Sequence, residues 1–276
     1  MSSSDIAAAG RRSSVRSALI AFGVAFAAAG NARSAVHRSV YQATGSAWTT
    51  TRWDGPYVGV NTGGAIGDAA LRAAVDPRTA GYFLTPDVAQ LGDYGLVKAS
   101  PLGFVGGAQA GYNVQVSSTV FGFEVDFDSL GLNDSRGVSA AYKSDPATSF
   151  HIQQTVRTDW LLTARPRVGY AFRDFLIYAT AGLAMTRLKY MEQFTDTFNP
   201  AYSSDSFSRV MVGWTVGTGV EYMLREHWTV KGEYLYADLG SMPGRSSQAI
   251  PAEGDQFIHT ANLNVHLLRV GLNYKF

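Results

Sequence analysis

Eight stretches of this chain alternate apolar and polar side chains over about ten or more residues, and the segments joining them alternate in length. Joins after the odd-numbered stretches run to roughly 15–35 residues, whereas those after the even-numbered ones are about two to four, at Ser117-Ser118, Arg173-Asp174 and Arg225-Glu226-His227. A soluble β-sandwich has no reason to sort its connections this way. A barrel that crosses a membrane has one, because it carries short turns on one rim, long loops on the other and an even number of strands. The fold expected is all-β, an eight-stranded antiparallel transmembrane β-barrel of up-and-down topology, with surface loops at about residues 68–101, 131–152, 192–206 and 240–258.

The two faces of each stretch differ in chemistry, since successive strand side chains point to opposite sides. In GPYVGVNTGGAIG, Val58 and Val60 oppose Tyr57, Gly59, Asn61 and Gly63. In TVFGFEVDFDSL, Phe121, Phe123, Val125 and Phe127 oppose Gly122, Glu124, Asp126 and Asp128. RTDWLLTARPRVGYAF sets Arg165 and Arg167 on the polar face, and WTVKGEYLYADLG does the same with Lys231 and Glu233. An eight-stranded barrel is just wide enough to be filled by its own side chains. Glu124, Asp126, Asp128, Arg165, Arg167, Lys231, Glu233 and Arg269 are therefore expected to neutralise one another inside, as a charged plug that leaves no wide pore. Tyr112, Trp160, Tyr170, Tyr222, Trp228 and Tyr274 fall on the apolar face near strand ends, where interfacial girdles belong.

Two stretches resist this scheme. Pro166 sits inside the fourth and cannot donate to a ladder, so a bulge or broken pairing is expected there. The fifth, FLIYATAGLAMT, fits lipid with either face. Near the end of the chain Leu267-Leu268 marks a break in phase beside His266.

Arg11, Arg12 and Arg16 precede a short Ala-rich apolar run from Ala18 to Gly30, the order of a cleaved secretory signal over residues 1–32. Residues 33–52 then read as a short periplasmic lead-in and 53–276 as the barrel domain. With 23 basic and 22 acidic residues the chain has no field to draw nucleic acid, and with no Cys it has no disulfide framework or thiolate metal site.

WDGPYVGVNTGGAIG, GFVGGAQAGYN, FGFEVDF, RPRVGYAF with LIYATAGLA, GTGVEY, VKGEYLYADLG and LRVGLNYKF together resemble the small Gram-negative outer-membrane barrels of the RopB type, a porin-like group that includes hemin-binding members. The resemblance covers roughly residues 53–276, and places Pro166 where the pattern has Gly between two arginines. It implies the outer membrane of a Gram-negative bacterium, with its lipids, lipopolysaccharide and assembly machinery as partners. It also implies that Phe276, with Tyr274, Leu272 and Val270 alternating before it, resembles the terminal signal which that machinery reads. An apolar-faced terminal strand can pair edge to edge with a receptor strand before the barrel closes.

The function expected is structural, supporting envelope integrity and presenting surface loops, with no enzymatic activity and no cofactor. Two alternatives stand beside it. A heme-binding surface protein would use His or Tyr ligands, with His151 and His259 at loop borders and the loop residues Tyr82, Tyr94, Tyr142 and Tyr202 as candidates at the outer rim. A lipid-modifying enzyme would need a nucleophile, a base and an orienting group, and no strand carries these at a spacing that brings them together.

Overall fold

The computed structural model describes residues 52–79, 81–197, 202–246 and 255–276. The proposed signal and nearly all of the lead-in lie outside the described residues. Along the chain run β1 (Gly55–Val75), α1 (Thr85–Tyr94), β2 (Leu96–Ala99), β3 (Leu102–Val116), β4 (Thr119–Ala141), β5 (Ser149–Phe172), β6 (Phe175–Asp196), β7 (Tyr202–Arg225), β8 (Trp228–Arg245) and β9 (Phe257–Lys275). All ladders are antiparallel, and β9 returns to pair with β1 from Tyr57↔Lys275 to Val75↔Phe257, so the sheet closes. β2 and β3 share one register against β1, Ala69↔Ala99 and Ile66↔Leu102, and are separated by Ser100-Pro101. They form a single barrel strand interrupted where proline has no donor, which makes the wall eight strands. No helix among the described residues is long and apolar enough to cross a membrane.

The strands are far longer than a membrane needs. A tilted strand crosses the hydrocarbon in about 9–11 residues, whereas β4, β5 and β7 run to 23, 24 and 24. Side-chain polarity shows how the length is used. In the half nearest the short turns the outward residues are apolar and exposed: Val58 to Ile66 on β1, Phe121 to Phe127 on β4, Val210 to Tyr222 on β7, Leu268 to Phe276 on β9. Beyond that band the pattern inverts. On β4 the outward row continues as Ser129, Gly131 and Asn133, while the inward row changes from Glu124, Asp126 and Asp128 to Leu130 and Leu132. The band is a membrane wall, and the rest is a barrel in water with an ordinary apolar core.

This inversion corrects the expected loop boundaries. Ladders persist through much of 68–101, 131–152, 192–206 and 240–258, leaving connections at 76–95, 142–148, 197–201 and 246–256. Where apolar residues move from one face to the other, the alternation changes phase and imitates the end of a strand. Leu267-Leu268 is such a place. β9 alternates without interruption, with Leu267 buried inside and Leu268 69% exposed outside.

The fifth stretch resolves with Tyr178, Thr180 and Ala184 inward and Ile177, Ala179 and Leu183 exposed. At Pro166 the ladder to β6 lapses between Ala164↔Leu183 and Arg167↔Thr180 without a change of register. The Thr180 hydroxyl donates to the Pro166 carbonyl at 2.9 Å across the lapse. β7 and β8 are laddered only from Arg225↔Trp228 to Trp214↔Asp238. Above this point the Phe207 ring of β7 lies over Gly244 of β8, where an added Cβ would meet it at 3.4 Å.

Candidate functional site

The lumen is filled in layers. At the lower rim Trp53, Val120, Ala171, Leu176, Tyr178 and Met223 form an apolar floor, in which Trp53 is 1% exposed and its backbone N–H donates to Gln115 Oε1 at 2.7 Å. Above it lies the charged layer. Arg165 donates to Asp126 at 2.7 Å, Glu124 at 2.8 Å and Glu233 at 3.1 Å. Arg269 reaches Asp128 at 2.5 Å and Asp126 at 3.0 Å, and also donates to Glu233. Lys231 donates to Glu124 at 2.8 Å, and Arg167 pairs with Glu221 at 3.2 Å. All eight residues expected in the plug are buried here, together with Glu221.

Register explains the assembly. Glu124 stands opposite Arg165, Glu221 opposite Lys231 and Glu233 opposite Arg269 on neighbouring strands. Directly opposed charges of unlike sign are the favourable cross-strand arrangement. The alternation on single strands showed which charges turn inward; only closure brings Arg165 of β5 to Glu233 of β8.

Two tyrosines complete the layer. Tyr57 donates to Glu124 at 2.7 Å and Tyr178 to Glu233 at 3.0 Å. The Arg167 guanidinium lies between them, 4.8 Å from the Tyr57 ring and 5.0 Å from the Tyr178 ring, a cation–π arrangement that desolvation strengthens. Inward glycines give these rings room: a Cβ at Gly111 would fall 2.3 Å from the Tyr57 ring, and one at Gly219 2.5 Å from the Tyr178 hydroxyl. The phase of Tyr57 with Asn61 was the available sign that it turns inward. For Tyr178 the ambiguous fifth stretch offered none. On the β1–β3–β9 side Asn61, Gln109 and Asn273 link the charges, with Asn61 donating to Asp128 at 2.9 Å and Asn273 to Glu221 at 2.8 Å.

Next comes an apolar core that the sequence reading missed, including Leu71, Leu130, Leu132, Leu161, Leu188, Leu235, Leu263 and Leu267. Each such leucine taken fully from water contributes about 1.5–3 kcal/mol. The outer end is corked by Val75, Phe83, Leu91, Tyr142, Phe150, Ile152, Phe194 and Phe257, with α1 across it. Tyr82 and Tyr142 both donate to Asp196, at 3.0 and 2.9 Å. Burial and that acceptor push the Tyr142 phenol well above its ordinary range. A cavity of about 110 Å³ opens beside them, lined by Tyr82, Tyr142, Asp87 and Asp196, well below the roughly 300–1,000 Å³ of a site for a drug-sized ligand.

The two histidines proposed as heme ligands are not brought together. His151 lies on β5, partly exposed, with Nδ1 2.8 Å from the Ser139 hydroxyl. His259, expected at a loop border, is instead buried inside β9, its Nδ1 2.6 Å from Glu192 Oε2 and its ring 5.1 Å from Phe207. Among the described residues no carboxylate bonds to His151, so the Ser139–His151 contact lacks the third member of a hydrolytic triad. Tyr94 and Tyr202 are exposed near the outer end and do not join either histidine.

The terminal strand is fully integrated. Tyr274 faces Val58 on one side and Trp228 on the other, and the Phe276 N–H donates to the Pro56 carbonyl at 3.1 Å. Aromatics mark both margins of the apolar band. Phe175–Tyr222 and Trp228–Tyr274 lie at the lower one, with centroids 4.8 and 5.2 Å apart. Phe127–Trp160 and Trp214–Tyr236 lie at the upper, at 6.1 and 5.4 Å.

A closed barrel with a lipid-facing band is the architecture described by the family model that matches residues 18–276, the outer membrane protein beta-barrel domain. The chain belongs to that family. It is 33% identical over 229 residues to the 31 kDa outer-membrane immunogenic protein of Brucella melitensis, covering 82% of this chain and 85% of that one. It is 32% identical over 151 residues to the 22 kDa outer membrane protein of Rhizobium leguminosarum bv. viciae, covering 55% and 59%. Among solved structures it is similar to the outer membrane protein OprG of Pseudomonas aeruginosa, with 12% identity, a TM-score of 0.42, and 81% and 96% of the two chains covered. This outer-membrane barrel therefore resides in the outer membrane of a Gram-negative bacterium, among its lipids. The short turns belong to the periplasmic rim and the long-stranded, corked end to the surface.

Proposed function

We propose that this barrel is a structural protein of the outer membrane, which supports envelope integrity, presents its outer loops at the surface and catalyses no reaction. The observation that supports this reading is the filled lumen, in which floor, charge layer, apolar core and cork follow one another among the described residues. The Brucella relative is named as an immunogenic protein, which accords with a surface-exposed outer half here. In this reading the partners are lipopolysaccharide and the assembly machinery, and Val270, Leu272, Tyr274 and Phe276 are the strand that the machinery engages.

The reading is tested on refolded protein in lipid vesicles, by solute-dependent swelling and by a heme titration on the same sample. Expected are no swelling above that of empty vesicles and no saturable Soret change. Swelling would overturn the sealed barrel, whereas a Soret band lost on His259→Ala or His151→Ala would move the function to heme capture. A second expectation concerns biogenesis. Phe276→Asp should lower the heat-modifiable barrel in outer-membrane fractions several-fold, yet cost the refolded protein only about 0–1 kcal/mol, because the ring stands at the lower margin of the apolar band, where a lipid-facing charge is penalised least. Wild-type levels in the membrane would remove the terminal residue from assembly.

A further inference from the structure

Immediately above the apolar band, the outward face of β5 and β6 carries three cations on one small area. Arg157 stands directly opposite Lys189, and Arg187 lies two residues before Lys189 on the same face of β6. Residues two apart on a strand are separated by about 7 Å and opposed ones by about 5 Å, so all three fit under one headgroup. Like charges set directly opposite each other destabilise a sheet. Asp159 offsets part of this, contacting Arg157 at 2.6 Å and Lys189 at 2.7 Å. One carboxylate does not balance three cations, and among the described residues no acidic partner is recorded for Arg187.

Place in the fold decides what covers the patch. Just below it the same wall presents Trp160, Leu162, Leu183 and Met185 to acyl chains, so the cations stand at the outer-leaflet headgroup level. Above the band the outward faces of β1, β8 and β9 carry Asp68, Asp238 and His266 instead.

We propose that Arg157, Arg187 and Lys189 form a binding site for the phosphate groups of an outer-leaflet phosphorylated glycolipid, whose acyl chains lie against the wall beneath. The site holds one such lipid by charge-assisted hydrogen bonds, and these are the stronger class, with Arg suited to bidentate phosphate contact. It rests on the reading above that the barrel's partners include lipopolysaccharide, and it names where.

The test uses the full chain refolded into phosphatidylcholine nanodiscs and titrated with bisphosphorylated lipid A, with the same lipid after phosphate removal, and with inorganic phosphate. Wild-type protein should bind the phosphorylated lipid at least tenfold more tightly than the dephosphorylated one. The triple variant Arg157→Gln, Arg187→Gln, Lys189→Gln should lose about tenfold or more, while Arg72→Gln, Lys98→Gln, Arg136→Gln stays within twofold of wild type. Equal affinity of wild type and the patch variant overturns the site, as does indifference to the lipid phosphates. Displacement of the lipid by equimolar inorganic phosphate would show a free-anion site and overturn the headgroup assignment. Heat-modifiable mobility, read on every sample, separates these outcomes from failure of the barrel itself. The comparison of the two lipids needs no variant to fold.

Discussion

Arg165→Met is expected to destabilise the folded barrel by about 3–5 kcal/mol, the range for removing one partner of a buried charge pair. Five carboxylates, Glu124, Asp126, Asp128, Glu221 and Glu233, share the charged layer with four cations, Arg165, Arg167, Lys231 and Arg269. Arg165 is 0% exposed and contacts three of the acids. Its loss leaves five negative groups facing three positive ones, away from water and in a wall whose outer side is lipid. Methionine fills much of the volume, so the loss reads charge more than packing. The measurement is the urea midpoint of the refolded protein in lipid vesicles, followed by tryptophan fluorescence. Adding Asp126→Asn to Arg165→Met should recover part of the loss, because it restores the balance of charge. An unchanged midpoint in the single variant would show that the layer does not hold the barrel together.

The second large effect separates two adjacent residues. Leu132→Asp should cost several kcal/mol or prevent refolding, since Leu132 is 1% exposed within the apolar core and an unpaired buried carboxylate has no compensation there. Asn133→Asp, one position along, should stay within about 0.5 kcal/mol of wild type, as substitutions at exposed sites do, because Asn133 is exposed on the polar outer wall above the apolar band, opposite Arg157. In a transmembrane strand the costs would be reversed, with the charge tolerated inside and penalised outside. Equal penalties at the two positions would place this part of β4 in the bilayer and overturn the division of the barrel into membrane and aqueous halves.

Much of this architecture was legible before the fold. Period-two runs with connections sorted by length gave eight strands and the two rims, because side-chain alternation and loop asymmetry are local properties of a barrel strand. The charged layer was legible for the same reason: Glu124, Asp126 and Asp128 share a phase, as do Arg165 and Arg167. The outer half was not. Its inward leucines, such as Leu130 and Leu132, lie in the opposite phase from the outward phenylalanines of the same strand, and a rule that assigns apolar residues to lipid treats that change as the strand's end.

Sequence alone thus determined the fold class and the strand count, and put the charges of the layer on the polar phase of their strands, since each depends on which way consecutive side chains point. Tertiary structure decided which charge meets which, that Tyr57 and Tyr178 clasp Arg167, that His151 and His259 lie apart, and where the membrane ends. These depend on closure of β1 against β9 and on the solvent outside each level of the wall. The same alternating strand is membrane-spanning or water-soluble according to which of its two faces is apolar, and on a strand such as β4 the two faces exchange that role along its length.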